Sequence, residues 1–82
     1  MSARLVLYSR PGCHLCDEMK AVIARVAAVR PVIVDEIDIT GDPTLEERYG
    51  EEIPVLLVDG KKTAKYRVSD AELTRMLDAR SA

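Results

Sequence analysis

The sequence predicts an α/β fold with element order β-α-β-α-β-β-α and a mixed four-stranded sheet carrying helices on both faces. Three observations lead there. A short apolar run, Leu5-Val6-Leu7-Tyr8, gives way after Arg10-Pro11-Gly12 to helical spacing of apolar residues. A β-branched run, Val32-Ile33-Val34, follows that helix, so the first two strands are joined by a crossover and should be parallel. Asp59-Gly60, between two further strand-like runs, is a strong hairpin signal, so the last two strands should be antiparallel. With 82 residues the chain suits a single domain over 1–82.

Each element has its own local reason. Residues 4–9 (Arg4 to Ser9) read as a short buried strand, broken by Pro11, which lacks a donor, and Gly12, which admits unusual dihedrals. From Cys13 the apolar positions Leu15, Met19, Val22, Ile23 and Val26 fall on one helical face. Asp17 and Glu18 lie early and Arg25 and Arg30 late, as the helix dipole favours, and Pro31 is placed to stop the helix. Residues 32–39 read as the second strand. Asp42-Pro43 opens a second helix, with Asp a good N-cap and Pro suited to the first helical position. Leu45 and Tyr49 share a face of it, and Gly50 is placed to end it. Residues 53–58 form a third strand, and a fourth runs from Thr63 to Arg67. Ser69-Asp70-Ala71-Glu72 is a capping-box pattern that opens a last helix with Leu73, Met76 and Leu77 inward. This order of elements is the thioredoxin architecture.

Composition narrows the function. Hydrophobic residues make up 48% with no Phe and no Trp, so the core must be built from aliphatic residues and Met. The formal net charge of -2 lacks the basic excess of a nucleic-acid protein and any polybasic membrane patch. No apolar run approaches the ~20 residues that span a bilayer, and the N-terminal stretch Met1 to Tyr8 has too short an apolar core for a signal peptide. The expectation is a cytoplasmic protein. In that compartment thiols are kept reduced, so two cysteines point to catalysis or metal binding rather than a staple.

Cys13-His14-Leu15-Cys16 stands where the first strand meets the first helix of a βαβ unit, which makes a CxxC pair a strong redox signal. The thiolate is the nucleophile, and a free thiol of pKa ~8.5 supplies little of it at neutral pH. At a helix start, unpaired N–H groups and the positive dipole end favour the ionised form of Cys13. Cys16, one turn further in, can reach Cys13 and should be the more buried. The catalytic roles are therefore attack by Cys13 and resolution by Cys16. Three plainer readings carry less weight. As a structural disulfide, a loop of about four residues would contribute only ~2 kcal/mol, against ~3 for a loop of 15. A structural zinc site wants four ligands, and the chain offers two Cys and the single His14, so no metal is expected. Inert buried thiols would not explain the Pro11-Gly12 break and the helix start.

The segment Tyr8 to Cys16 resembles the active-site segment of glutaredoxins and their short bacterial relatives. A second anchor, Tyr49 to Gly60, is similar to the family's helix end, cis-proline strand and hairpin, and a third is the closing helix from Ser69. The resemblance implies a thiol–disulfide oxidoreductase that reduces protein or mixed disulfides. It implies a cis Ile53–Pro54 bond beside the cysteines, with the backbone of Ile53 turned to an extended substrate. Arg10 matches a basic residue of the family that would lower the Cys13 pKa or hold a substrate carboxylate, and it also reads as a solvated surface arginine. Asp70 aligns with a ligand-contacting acid, and it also reads as a first-turn acid of the last helix. His14 would add positive charge near Cys13 when protonated, or simply face solvent.

Two departures bear on the reductant. Glutaredoxins commonly carry Pro-Tyr between the cysteines and a Gly-Gly pair before the last helix. This chain has His14-Leu15 and Tyr66-Arg67-Val68-Ser69-Asp70. Side chains there stand where glutathione would meet backbone. The expectation is therefore no resident cofactor, weak use of glutathione and better coupling to a protein reductase. Expected partners are a disulfide-containing protein and a thiol reductant, with no nucleic acid, no membrane and a monomeric chain. Two alternatives stay open: an iron–sulfur carrier using Cys13 in a dimer, and a non-catalytic thioredoxin-like binding module.

Overall fold

The computed structural model describes residues 3–81, so Met1, Ser2 and Ala82 lie outside the described residues. β1 (Ala3–Ser9) is the strand around which the rest is laid. Its alternate residues Ala3, Leu5, Leu7 and Ser9 are buried, while Arg4 is exposed and Val6 and Tyr8 are half-buried. β2 (Val32–Asp38) pairs with it in parallel, from Ala3 opposite Val32 to Ser9 opposite Asp38. β3 (Val55–Val58) pairs antiparallel on its other side, and β4 (Lys61–Lys65) pairs antiparallel with β3. The sheet order is β2-β1-β3-β4, as the thioredoxin architecture requires.

α1 (His14–Ala27) buries Cys16, Met19, Val22, Ile23 and Val26, and α3 (Asp70–Ser81) buries Leu73 and Leu77. All of those but Cys16 join Leu5, Leu7, Leu56 and Val58 of the sheet in one apolar cluster. α2 (Pro43–Tyr49) buries nothing fully. It reaches the opposite face through Tyr49, whose ring stacks on Tyr8 with centroids 4.4 Å apart. Helices therefore lie on both faces, but one face carries most of the core.

The local signals are realised in detail. Asp42 caps α2, its Oδ1 accepting from Thr44 N–H and Leu45 N–H at 3.1 Å each. The capping box of α3 is reciprocal. Ser69 Oγ accepts from Glu72 N–H at 3.0 Å, and Glu72 Oε1 accepts from Ser69 N–H at 3.1 Å. Asp59 and Gly60 have φ of 51° and 84°, the paired positive values of a type I′ turn. The Ile53–Pro54 bond is cis, as the family resemblance implied.

Several boundaries differ from expectation. α1 stops at Ala27, so Arg30 lies outside it and Pro31 is not its immediate stop. A residue before proline is pushed out of the helical region, and turn bonds from Val29 and Arg30 N–H to Val26 O use up the intervening residues. Cys16 takes the buried position of the first turn, and Leu15 is only half-buried. β3 begins at Val55 rather than 53, because Pro54 has no N–H for the ladder. β4 begins at Lys61 rather than Thr63, because the two-residue turn lets Val58 and Lys61 pair at once. It ends before Tyr66, whose φ of 66° is not extended. Gly50 follows α2 in a right-handed conformation with φ -53°. A side chain there would collide with the Glu46 carbonyl oxygen, so glycine is needed for space rather than for handedness. Among the described residues no helix is long and apolar enough to cross a membrane.

Candidate active site

The site is assembled where β1 ends. Ser9 closes the strand, Gly12 turns the loop with φ 77°, and Cys13 N–H donates to Arg10 O at 3.3 Å. Cys13 is the N-cap of α1, with extended dihedrals of φ -87° and ψ 111°. That position ordinarily carries a side-chain oxygen that accepts a first-turn N–H. Here the acceptor is sulfur, and Cys16 N–H points at Cys13 Sγ from 3.1 Å.

The pair is in the oxidised form, with the two sulfurs at bonding distance and the Cα atoms 5.2 Å apart. The two ends of the bond are unequal. Cys13 is half-exposed, whereas Cys16 is 1% exposed under the first turn. A group approaching from solvent therefore meets Cys13 first.

The other residues singled out in the sequence divide into two sets. His14 stands beside the pair with its side chain 89% exposed, its Nε2 3.2 Å from Glu18 Oε2. Pro54 is fully buried at the same end of the sheet. The register sets Val55 opposite Tyr8, which brings Pro54 alongside Ser9, where the cysteine loop starts. Ile53, just before it, is half-buried. Arg10 and Asp70 are drawn into ion pairs elsewhere. The Arg10 guanidinium bonds Glu46 of α2. Asp70 accepts from Arg25 Nε at 2.7 Å and Nη2 at 2.8 Å. The hydrogen bond from Arg25 holds the Asp70 carboxyl below the ordinary carboxylate range.

Glu18 was not singled out for the site from sequence, and Tyr66 was named only within the stretch before the last helix. Glu18 bridges His14 and Arg67, the latter at 3.4 Å. The four-residue spacing of His14 and Glu18 on a helix was a readable sign of the first contact, while nothing local signals the second. Tyr66 ties the proline segment in place. Its N–H donates to Pro54 O at 2.9 Å, and its hydroxyl donates to Glu51 O at 3.0 Å. Tyr66 and Arg67 also edge a groove of about 420 Å³ whose floor includes Met19, Val22 and Val68. Behind the cysteine loop, buried Ser9 donates its hydroxyl to Glu36 Oε2 at 2.8 Å. Lys20 Nζ lies 3.2 Å from the same oxygen, and that hydrogen bond raises the Lys20 pKa.

Comparison with known proteins agrees with this geometry. The family model described as Glutaredoxin-like domain matches residues 4–78. Among solved structures, structural genomics target protein XcR50 from X. campestris is 32% identical, with a TM-score of 0.76 over 92% of this chain and 96% of that one. Protein Ne2328 from Nitrosomonas europaea is 28% identical, with a TM-score of 0.80 over 93% of this chain and 92% of that one. A thioredoxin from Halobacterium salinarum, 21% identical, shares the fold with a TM-score of 0.71 over 99% of this chain and 76% of that one. Among curated sequences, the protein Rv0508 of Mycobacterium tuberculosis is 28% identical over 72 residues, 82% of this chain and 74% of its own length.

Proposed function

This chain belongs to the glutaredoxin-like domain family, and from that membership we propose that it is a thiol–disulfide oxidoreductase working through Cys13 and Cys16. One observation carries the reading: a half-exposed sulfur caps a helix, accepts an N–H and is paired with a buried sulfur one turn away. Backbone donors at a helix start stabilise a thiolate better than a thiol, so the exposed member of the reduced pair is the activated one.

The reaction transfers two electrons and two protons. Cys13 loses its proton, and its thiolate attacks one sulfur of the substrate disulfide. The substrate S–S bond breaks, and its other sulfur leaves as a thiolate that takes up a proton. Cys16 then loses its proton and attacks Cys13 Sγ, expelling the second substrate sulfur as a thiolate that is protonated in turn. The substrate is left as a dithiol and the protein as the Cys13–Cys16 disulfide, which a thiol reductant returns to the dithiol by the same steps in reverse. Ile53 would pair its backbone with an extended substrate segment beside Pro54. His14 would lend positive charge when protonated, and Arg10 would act through Glu46 and the loop rather than on the substrate.

The reductant we assign is a protein reductase rather than glutathione, in a cytoplasmic setting. Support comes from the stretch before α3, where Tyr66 and Arg67 put side chains and Arg25 already occupies Asp70.

The test is a trap. Cys16→Ser, incubated with a protein disulfide, should accumulate as a covalent mixed disulfide through Cys13, and Cys13→Ser should form none. Turnover surviving in Cys13→Ser would overturn the proposal.

A further inference from the structure

Between α1 and the stretch before α3 runs the groove of about 420 Å³, a size within the ~300–1,000 Å³ of clefts that take ligands. Met19, Ala21, Val22 and Val68 give it an apolar lining, and Tyr66 walls it on the side of Pro54. Its polar rim is already paired within the chain. Arg25 is held by both oxygens of Asp70, Ser69 and Glu72 bond each other, and Glu18 takes Arg67. An ionic ligand would compete with these pairs, whereas an apolar group only displaces water from an apolar floor.

Packing does not account for Tyr66, which is 43% exposed. Its φ of 66° belongs to a tight turn in which Arg67 N–H donates to Lys65 O at 2.7 Å. Residues other than glycine rarely adopt that conformation, and where they do it is imposed by the surroundings, characteristically at ligand clamps and active sites. Here the surroundings are the proline segment. Tyr66 N–H bonds Pro54 O and its hydroxyl bonds Glu51 O, so the ring is fixed at its backbone and at its tip. The wall of the groove is thus tied to the segment that carries Ile53.

We propose that this groove is the specificity pocket of the redox site, and that it takes a large apolar side chain, of leucine size, two residues from the reacting cysteine of a protein substrate. The inference rests on the oxidoreductase reading and on a substrate segment lying beside Pro54. The sheet sets the span. β1, which leads into the cysteine loop, β3 and β4 are successive neighbours ~4.8 Å apart, so the Tyr66 end of β4 lies roughly 10 Å across from that loop. An extended segment covers about 6.8 Å in two residues, and side chains two apart point to the same face. A segment that turns its cysteine down to Cys13 therefore also turns down the side chain two residues away, and the length of that side chain closes the remaining distance. A leucine there is removed from water on the apolar floor, while a serine leaves the floor wet.

The test uses the reduced full chain and two symmetric peptide disulfides that differ only in carrying leucine or serine two residues on each side of the cysteine. Protein and excess disulfide are mixed and quenched in acid, and formation of the Cys13–Cys16 disulfide is timed. The leucine peptide should react about 10-fold faster than the serine peptide. Ala21 lines the groove from an exposed helical position, so Ala21→Glu puts a charge into it and Ala21→Leu fills it without one. Either variant should bring the ratio of the two rates to within about twofold of one. Equal rates in the wild type, or a leucine preference that survives either variant, would overturn the proposal. Glutathione disulfide outrunning the leucine peptide would overturn it too, by giving the groove to glutathione. Equal peptide rates leave the redox reading standing, because the Cys13–Cys16 disulfide still forms. No such disulfide from any of the three would remove both.

Discussion

A sulfur at the cap of α1 makes Cys13 both a structural and a chemical residue. The Cys16 N–H that it accepts would otherwise be one of the orphan donors of a helix start. In the reduced protein that donor favours the thiolate, and burial of Cys16 disfavours its ionisation. Cys13 should therefore alkylate faster than Cys16, with an apparent pKa below the free-thiol value of ~8.5. Site-resolved alkylation across pH checks this, and equal rates at the two sulfurs would remove the division of roles. Tyr66 is the other residue whose conformation invites a test. Its φ of 66° is one that glycine adopts freely, and it opens the stretch, residues 66–70, that corresponds to the glycine pair of glutaredoxins. Tyr66→Gly should open the backbone before α3 and raise glutathione-dependent turnover several-fold, leaving coupling to a protein reductase lower or unchanged. If glutathione already outpaces a protein reductase in the wild type, Tyr66 is not the barrier it is taken for.

At the level of elements, the ends set by adjacent residues are the ones the sequence made readable. Asp42-Pro43 and Ser69-Glu72 cap α2 and α3 as their patterns indicate, and Asp59-Gly60 turns the hairpin. Ser69→Ala should accordingly cost about 1 kcal/mol. Urea unfolding would show this as a lower midpoint with an unchanged slope, and no loss would mean that α3 is held by Leu73 and Leu77 packing alone. Ends set by hydrogen-bond supply or close contact rather than by a cap or turn pattern were not readable. The close of α1 depends on the bonds from Val29 and Arg30 to Val26, the late start of β3 on the N–H that Pro54 lacks, the early start of β4 on immediate pairing of Val58 with Lys61, and Gly50 on the nearness of the Glu46 carbonyl. The site divides the same way. The Cys13–Cys16 pair was plain because its members are one helical turn apart. The partners of Arg10, Arg67 and Asp70 were hidden because they lie on other elements, with Glu46, Glu18 and Asp70's Arg25 all more than thirty positions away.

Across the whole molecule, parallel pairing of β1 and β2 follows from the crossover, but sequence does not say which strands are left at the edges. That is why the apolar start of β2 read as ordinary strand rather than as a sheet edge. Charge is likewise distributed in a way that the fold reveals: three carboxylates are held by hydrogen-bond donors, two of them on other segments, and this gives stability a definite pH dependence. Thr40 N–H, donating at 2.8 Å, holds the Asp38 carboxyl below its ordinary range, with Arg10 adding to the effect. A hydrogen bond from Lys62 does the same for Glu52, and one from Arg25 for Asp70. For each, the folded state releases its proton more readily than the unfolded state. Between the two pKa values the unfolded chain binds more protons, so stability falls as pH falls. These contributions are complete above the unfolded carboxylate values of about 4 and are lost as pH drops through the depressed folded ones. All three groups face solvent, so salt should weaken the effect. Urea midpoints should therefore be level from pH 7 to about 5, then decline below about 4, with a shallower decline in 1 M salt. Asp70→Asn should flatten the acid limb further, because it removes one of the three titrations while leaving Arg25 a neutral acceptor. A midpoint that rises between pH 5 and 3 would mean that repulsion among the carboxylates outweighs their pairing, and the ion pairs linking α1 to α3 and β4 to the Glu52 loop would then not be formed in solution.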